Sequence, residues 1–216
     1  MITSPPKTRT PTQQRAVHTR HALVEAAERE FARRGYEATT AKSIAMRAKV
    51  ATGSFYQYFT CKDEVLREIA EARHMEAADH ALAALEAAPA PSGARNRVLH
   101  DVRLRMKLMV EVTLAFYAAH GGLEAVIAER RFADRELQAT LRACERRVIE
   151  RVAQLLQRWG HRGDVEATAY VLFNAVRGAL HAHALDGALL SKDRFTASLV
   201  DAVIRIALPG SPIPSS

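Results

Sequence analysis

Residues Thr39–Phe59 read TTAKSIAMRAKVATGSFYQYF, two short runs of helix-forming sequence flanking Lys49-Val50-Ala51. The Thr pair can cap a helix over about Ala41 to Ala48, and a second short helix is expected from about Thr52 to Phe59. Two short helices joined by a tight turn make a helix-turn-helix. Ile44, Ala45, Ala48, Val50 and Phe55 are its apolar positions, with Ala45 small enough to let the helices cross closely. Phe59 joins them. Tyr56 and Tyr58 point elsewhere, so the crowded aromatics divide into two that hold the unit together and two whose hydroxyls can donate to a phosphate.

Working outward, Leu23, Ala27 and Phe31 fall at i, i+4 and i+8 of a helix expected over about His18 to Arg34, with Gly35 as its stop. These side chains would close onto the two short helices. Elsewhere nothing alternates with period two for long, and Ala, Leu, Glu and Arg dominate. The reading is all-α. Breaks are expected at Gly35, at the APAPSG stretch 88–93, at Gly121-Gly122, at Gly160 and Gly163, and at Gly187.

The 216 residues fit one long or two short domains. A hydrophobic share of 48% is ordinary, no run of about 18 consecutive apolar residues is present, and the N-terminus lacks the apolar segment of a secretory signal. A soluble, cytoplasmic protein is expected. Only Cys61 and Cys144 are present, far apart, which indicates neither a disulfide framework nor a zinc site. Net charge is +7, and the first 66 residues hold 11 basic against 6 acidic side chains. The excess therefore lies with the aromatic stretch and implies an anionic partner, nucleic acid foremost.

The pattern Leu23-x-x-Ala26-Ala27-x-x-x-Phe31-x-x-x-Gly35-Tyr36-x-x-Thr39-Thr40, then Ile44-Ala45, Ala48-x-Val50-x-x-Gly53, then Phe55-Tyr56-x-Tyr58-Phe59-x-x-Lys62-x-x-x-Leu66 resembles the tetracycline-repressor (TetR) family of bacterial regulators. The resemblance implies that Thr52, Gly53 and Ser54 meet base edges in the major groove. It implies that Thr40, Tyr56, Tyr58 and Lys62 hold phosphates, with Lys42 and Gln57 flanking them. Free N–H groups and partial positive charge at a helix start suit that surface. The family usually has glycine in the turn and serine at the start of the second helix, where this chain has Lys49 and Ala51. A lysine at positive φ costs about 1 kcal/mol, and Thr52 is expected to take over the cap. Lys7, Arg9, Arg15 and Arg20 form either an arm adding salt-dependent affinity or a solubilising tail.

Beyond this lies a long helix from about Asp63 to Ala88, which in the resembled family links ligand binding to separation of the DNA-reading heads. The next helix, about Ala94 to His120, sets Thr113, Tyr117 and His120 into an apolar wall of Val102, Met106, Met109, Val110 and Phe116. Such polar groups either orient a small ligand or are satisfied within a core. On the helix over about Val165 to Leu185, Val171, Ala175, Gly178 and Ala182 form a face of small residues. Tyr170, Asn174, Arg177 and His181 form a polar track, whose first three members join the candidate pocket. A last helix, about Lys192 to Leu208, carries Leu199, Val203 and Ile206. In the resembled family the last two helices pair with their twofold mates, and the pattern here suits that use.

The expected organisation is a basic arm over 1–17, a DNA-binding domain over 18–64, a helical ligand-binding and dimerisation domain over 65–208 and a tail over 209–216. The partners implied are a double-stranded, palindromic DNA operator, a second copy of the chain and an unidentified, largely apolar small molecule, with no membrane and no cofactor. No histidines stand at metal-ligand spacing, and no nucleophile, base and orienter are visible, so neither a metal site nor catalysis is expected. The competing reading is a helical DNA-binding architectural module without ligand control, marked by salt-sensitive, sequence-indifferent binding.

Overall fold

The computed structural model describes residues 11–87 and 95–208, and among these every regular element is a helix. The order is α1 Pro11–Arg34, α2 Ala41–Arg47, α3 Thr52–Phe55, α4 Lys62–Glu86, α5 Arg95–Arg130, α6 Arg135–Arg158, α7 Val165–Leu185 and α8 Lys192–Ala207. The chain divides into two compact units, residues 1–69 and 70–216. The division falls within α4.

In the first unit Leu23, Ala27, Phe31, Ile44, Ala45, Phe55 and Phe59 are buried as the apolar spacing requires, joined by Val65, Leu66 and Ile69 from the start of α4. α1 begins at Pro11 rather than near His18. Proline is tolerated in a first helical turn because its missing N–H has no intrahelical partner there. Arg15 is therefore helical, and Arg20 forks onto Glu68 with its guanidinium 5.0 Å from the Phe59 ring centroid, so neither belongs to an arm. Lys7, Arg9, the 88–93 linker and the 209–216 tail lie outside the described residues.

α2 opens with a capping box: the Thr40 hydroxyl accepts from the Ser43 N–H at 3.1 Å, and the Thr40 N–H donates to Ser43 Oγ at 3.0 Å. It closes with a Schellman motif in which Val50 N–H reaches Ala45 O, Lys49 N–H reaches Met46 O, and Lys49 takes φ 58. The same pair of bonds ends α6, from His161 and Gly160 to Leu156 and Gln157, with Gly160 at φ 73.

The second unit buries one continuous cluster drawn from α4 to α8, including Leu85, Val110, Val148, Leu156, Ala169, Leu180, Val200 and Ile204. α5 passes unbroken through Gly121-Gly122, where a stop was expected. Two helical glycines cost on the order of 1 kcal/mol each, which packing offsets, and a Cβ at Gly121 would lie 3.5 Å from the Leu185 side chain. Within Leu99–Arg130 this helix is long and apolar enough to cross a membrane by composition, in contrast to the reading from consecutive apolar residues. Its Val102, Met106, Met109, Val110 and Leu123 are instead buried in the helical core.

Charged pairs fasten α6 to α4. Arg151 donates to both Glu86 oxygens at 2.7 and 2.8 Å and to Asp79 at 2.6 Å, and those hydrogen bonds to Glu86 raise its guanidinium pKa. Asp134 and Asp164 cap α6 and α7. His161 bridges the α6–α7 connection to α8, its ring nitrogens meeting Ala207 O at 2.9 Å and Thr168 Oγ1 at 3.1 Å.

Candidate nucleic-acid interface and internal cavity

In the first unit the α2–α3 segment has two kinds of side chain. Phe55 is fully buried, with Phe59 at 5.7 Å and Tyr56 edge-on at 5.4 Å between centroids. That packing leaves Tyr56 61% exposed. Thr40, Lys42, Thr52, Gly53 and Gln57 are also exposed, while Ser54 and Tyr58 are half-buried. A Cβ at Gly53 would meet nothing within 4 Å, so the glycine leaves room for something outside the chain. Thr40 spends an acceptor on the cap and keeps its hydroxyl hydrogen to donate.

Two expectations here are corrected. Ala51 is the N-cap of α3, with φ −64 and ψ 146 and no side-chain cap bond, and Thr52 is already helical, so Thr52 does not replace the missing cap. Lys62 turns inward: its ammonium donates to Tyr36 O at 2.8 Å and Thr39 O at 3.0 Å and lies 3.9 Å from the Tyr36 ring centroid. Tyr36 itself stacks on Phe31 and bonds Asp63. Tyr36 O, which also accepts from the Thr39 N–H at 3.2 Å, and Thr39 O together hold the cation in the turn after α1, so Lys62 holds the fold rather than a phosphate.

Sequence reasoning missed the salt bridge beneath this surface. Glu30 is 3% exposed and accepts from Arg47 Nε at 2.6 Å and Arg34 at 3.3 Å. Burial pushes its carboxyl up, but the hydrogen bonds from Arg47 and Arg34 prevail and hold it below the ordinary value. A charged residue on the inner face of an otherwise apolar α1 stripe was the available signal.

The second unit contains a half-open cavity of about 170 Å³. Met106, Met109, Thr113, Phe116, Tyr117 and Arg177 line it as expected. His120 does not: its Nδ1 lies 2.9 Å from Phe116 O and its ring packs on Phe116. Tyr170 is 59% exposed, and Asn174 donates to Tyr170 O at 2.9 Å, so both leave the pocket list. Tyr170 and Arg177, seven residues apart, share one face of α7, and of the two only Arg177 reaches the cavity wall.

Much of the wall comes from α4 and α6. α4 contributes Arg73 and His74 together with Ala70, Ala77, Ala78 and Ala81, and the small side chains of these alanines leave the volume unfilled. α6, which was not singled out, contributes Leu141, Val148, Val152, Leu155 and Leu156, with Trp159 at its end. Its Leu137, Leu141, Cys144 and Val148 spacing was the signal. Burial lowers the His74 imidazole, leaving it neutral at pH 7, and pushes the Tyr117 phenol up to about 12, so it remains a donor.

The small-residue face of α7 remains open: Val171, Ala175, Gly178 and Ala182 are exposed, and a Cβ at Gly178 would meet nothing within 4 Å. Ile206 is 41% exposed and Leu199 half-buried. Val203 is corrected from the interface set, since it is 5% exposed and lines the cavity.

Residues 23–69, the span holding the helix-turn-helix, match the family model described as bacterial regulatory proteins, tetR family. Over this span the chain carries the DNA-binding domain of the TetR family. Over 175 residues, 78% of this chain and 81% of the relative, it is 29% identical to the "Probable HTH-type transcriptional regulator ArpR" of Pseudomonas putida. Over 47 residues, 22% of the chain, it is 49% identical to the HTH-type transcriptional regulator HbdR of Aromatoleum sp. (strain CIB), and that match spans only 20% of HbdR. The structure of a SmeT–triclosan complex superposes with a TM-score of 0.66 at 23% identity, covering 92% of this chain and 96% of that one. SmeT is the repressor of the Stenotrophomonas maltophilia multidrug efflux pump SmeDEF. At that identity the likeness shows the TetR fold.

Proposed function

We propose that this chain is a cytoplasmic TetR-family transcriptional repressor that binds a palindromic operator as a homodimer and is released by a small, largely apolar ligand. The observation that carries the reading is the outward set Thr40, Lys42, Thr52, Gly53, Tyr56 and Gln57, held on the capped α2 and on α3 above a buried Phe55. Thr52, Gly53 and Ser54 are assigned to base edges and Tyr56, Tyr58 and Thr40 to phosphates. One four-residue recognition helix reads few base pairs, so two heads about one turn apart are needed for specificity. The exposed small-residue face of α7 supports pairing of two chains, and the cavity supports an effector. Its ligand releases DNA by favouring the conformer in which the heads no longer fit successive grooves.

The test is selection of bound duplexes from a random DNA pool, repeated across salt concentrations. A palindrome with half-sites about one turn apart is expected. A pool that stays random, with binding that vanishes as salt rises, would replace this reading with the architectural one.

A further inference from the structure

Resting on the reading of the cavity as the effector site, we propose that its ligand is a slender aliphatic chain of about ten carbons with an uncharged carbonyl head, the head set at Arg177 and the tail at Trp159. The wall is long for its volume. Along α4 it runs from Ala70 to Leu85, about 22 Å of helix, and a dry apolar cavity of about 150 Å³ already admits a compact ring such as benzene. Drawn out over that length, 170 Å³ makes a narrow, half-open channel. A single methylene chain lies along such a channel, where a compact ring leaves its ends unfilled. The two ends differ in chemistry. At one, His74 feels the charges of Glu145 and Arg177, Tyr117 those of Glu124 and Arg177, and Glu124 that of Arg73. At the other, Leu85, Met106, Trp159 and Ala207 are brought together by the bonds of their neighbours: Arg105 to Ala84 O, Arg158 to Glu86 O and His161 to Ala207 O.

Charge at the polar end already balances. Arg131 and Arg177 share Glu145 at 2.7 and 3.3 Å, Glu124 supplies a second carboxylate, and Arg73 pairs with Glu76 at 2.6 Å. His74 is neutral. A head group of either sign would upset that balance. What the polar end lacks is an acceptor. Arg177 Nε is buried with no hydrogen-bond partner among the described residues, and burial, by pushing the Tyr117 phenol up to about 12, keeps its proton available to donate. A carbonyl oxygen has two lone pairs and can accept from both. A buried donor left unmet is costly, so the recovered bond favours such a head over bare hydrocarbon.

Probes of one carbon count separate shape from charge: decan-2-one, cyclodecanone, decanoate and decylamine, titrated at neutral pH into the full chain. Trp159, the chain's single tryptophan, lines the cavity and reports binding by its fluorescence. Decan-2-one is expected to bind about tenfold or more tightly than each of the others. Arg177→Met should weaken its binding by about tenfold. A cyclodecanone that binds as well as decan-2-one overturns the slender chain, and a decanoate or decylamine that binds as well overturns the uncharged head; either result leaves the effector cavity standing. Wild-type affinity for decan-2-one in Arg177→Met overturns the placement of the head. Failure of every probe overturns the effector cavity as well. The wild-type series decides the question even where Arg177→Met does not fold.

Discussion

Lys49 sits at φ 58, where an L side chain crowds its own backbone, because the Schellman closure of α2 needs a left-handed residue there. Gly160 meets the same need at the end of α6 without a Cβ. Replacing Lys49 with glycine should therefore stabilise the first unit by about 1 kcal/mol, read as a higher urea midpoint by circular dichroism. DNA affinity separates two outcomes: unchanged binding confines Lys49 to the turn, and weakened binding with a shallower salt slope gives it a phosphate. Lys62 and Tyr56 make the converse pair. Lys62→Ala removes two charge-assisted hydrogen bonds and should cost about 2 kcal/mol of stability while leaving the salt slope of the folded protein intact. Tyr56→Phe keeps the exposed ring and should leave stability alone while weakening binding to all duplexes alike, as gel-shift titration would show.

At the scale of elements, α2 is positioned by its fastening to α1 through Glu30. Glu30→Gln leaves Arg47 without its anionic partner and should destabilise the unit by ~2 kcal/mol. Because the carboxyl is held below its ordinary value of 4.5, its contribution is complete above that value and is lost as pH falls through the lower, folded one. Urea midpoints followed from neutral into acid conditions should fall in the wild type, with this component absent from Glu30→Gln. A wild-type midpoint insensitive to acid would remove the buried pair as a support of α2. The continuity of α5 through Gly121-Gly122 belongs to this scale too: local propensity favours a stop, and packing along both ends of a 36-residue helix overrides it.

For the whole molecule, the decisive position is Gly178. A side chain there meets nothing within the chain, so Gly178→Leu should leave the protomer folded and act only where a second copy approaches. Sedimentation is expected to show monomers with an unchanged helical circular-dichroism spectrum. A dimer that survives the leucine would move the interface off this face of α7. Loss of the dimer should also cost operator affinity, since each half-site contact set is weak alone.

Much was legible from residue types at fixed spacing. The helix-turn-helix, the inward Phe55 and Phe59, the outward Tyr56 and the positive φ at Lys49 all follow from local sterics and a short-range apolar period, which neighbouring residues determine. Six members of the cavity wall were likewise visible as a stripe on α5 and α7. Only the tertiary structure decided what depends on residues distant in sequence. Lys62 binds carbonyls that precede it by more than twenty positions, Glu30 finds Arg47 across a turn, and Val203 belongs to the cavity rather than the surface. The empty volume itself, bounded by α4 alanines and α6 leucines, is a property of how five helices pack, and no single helix carries it in its sequence.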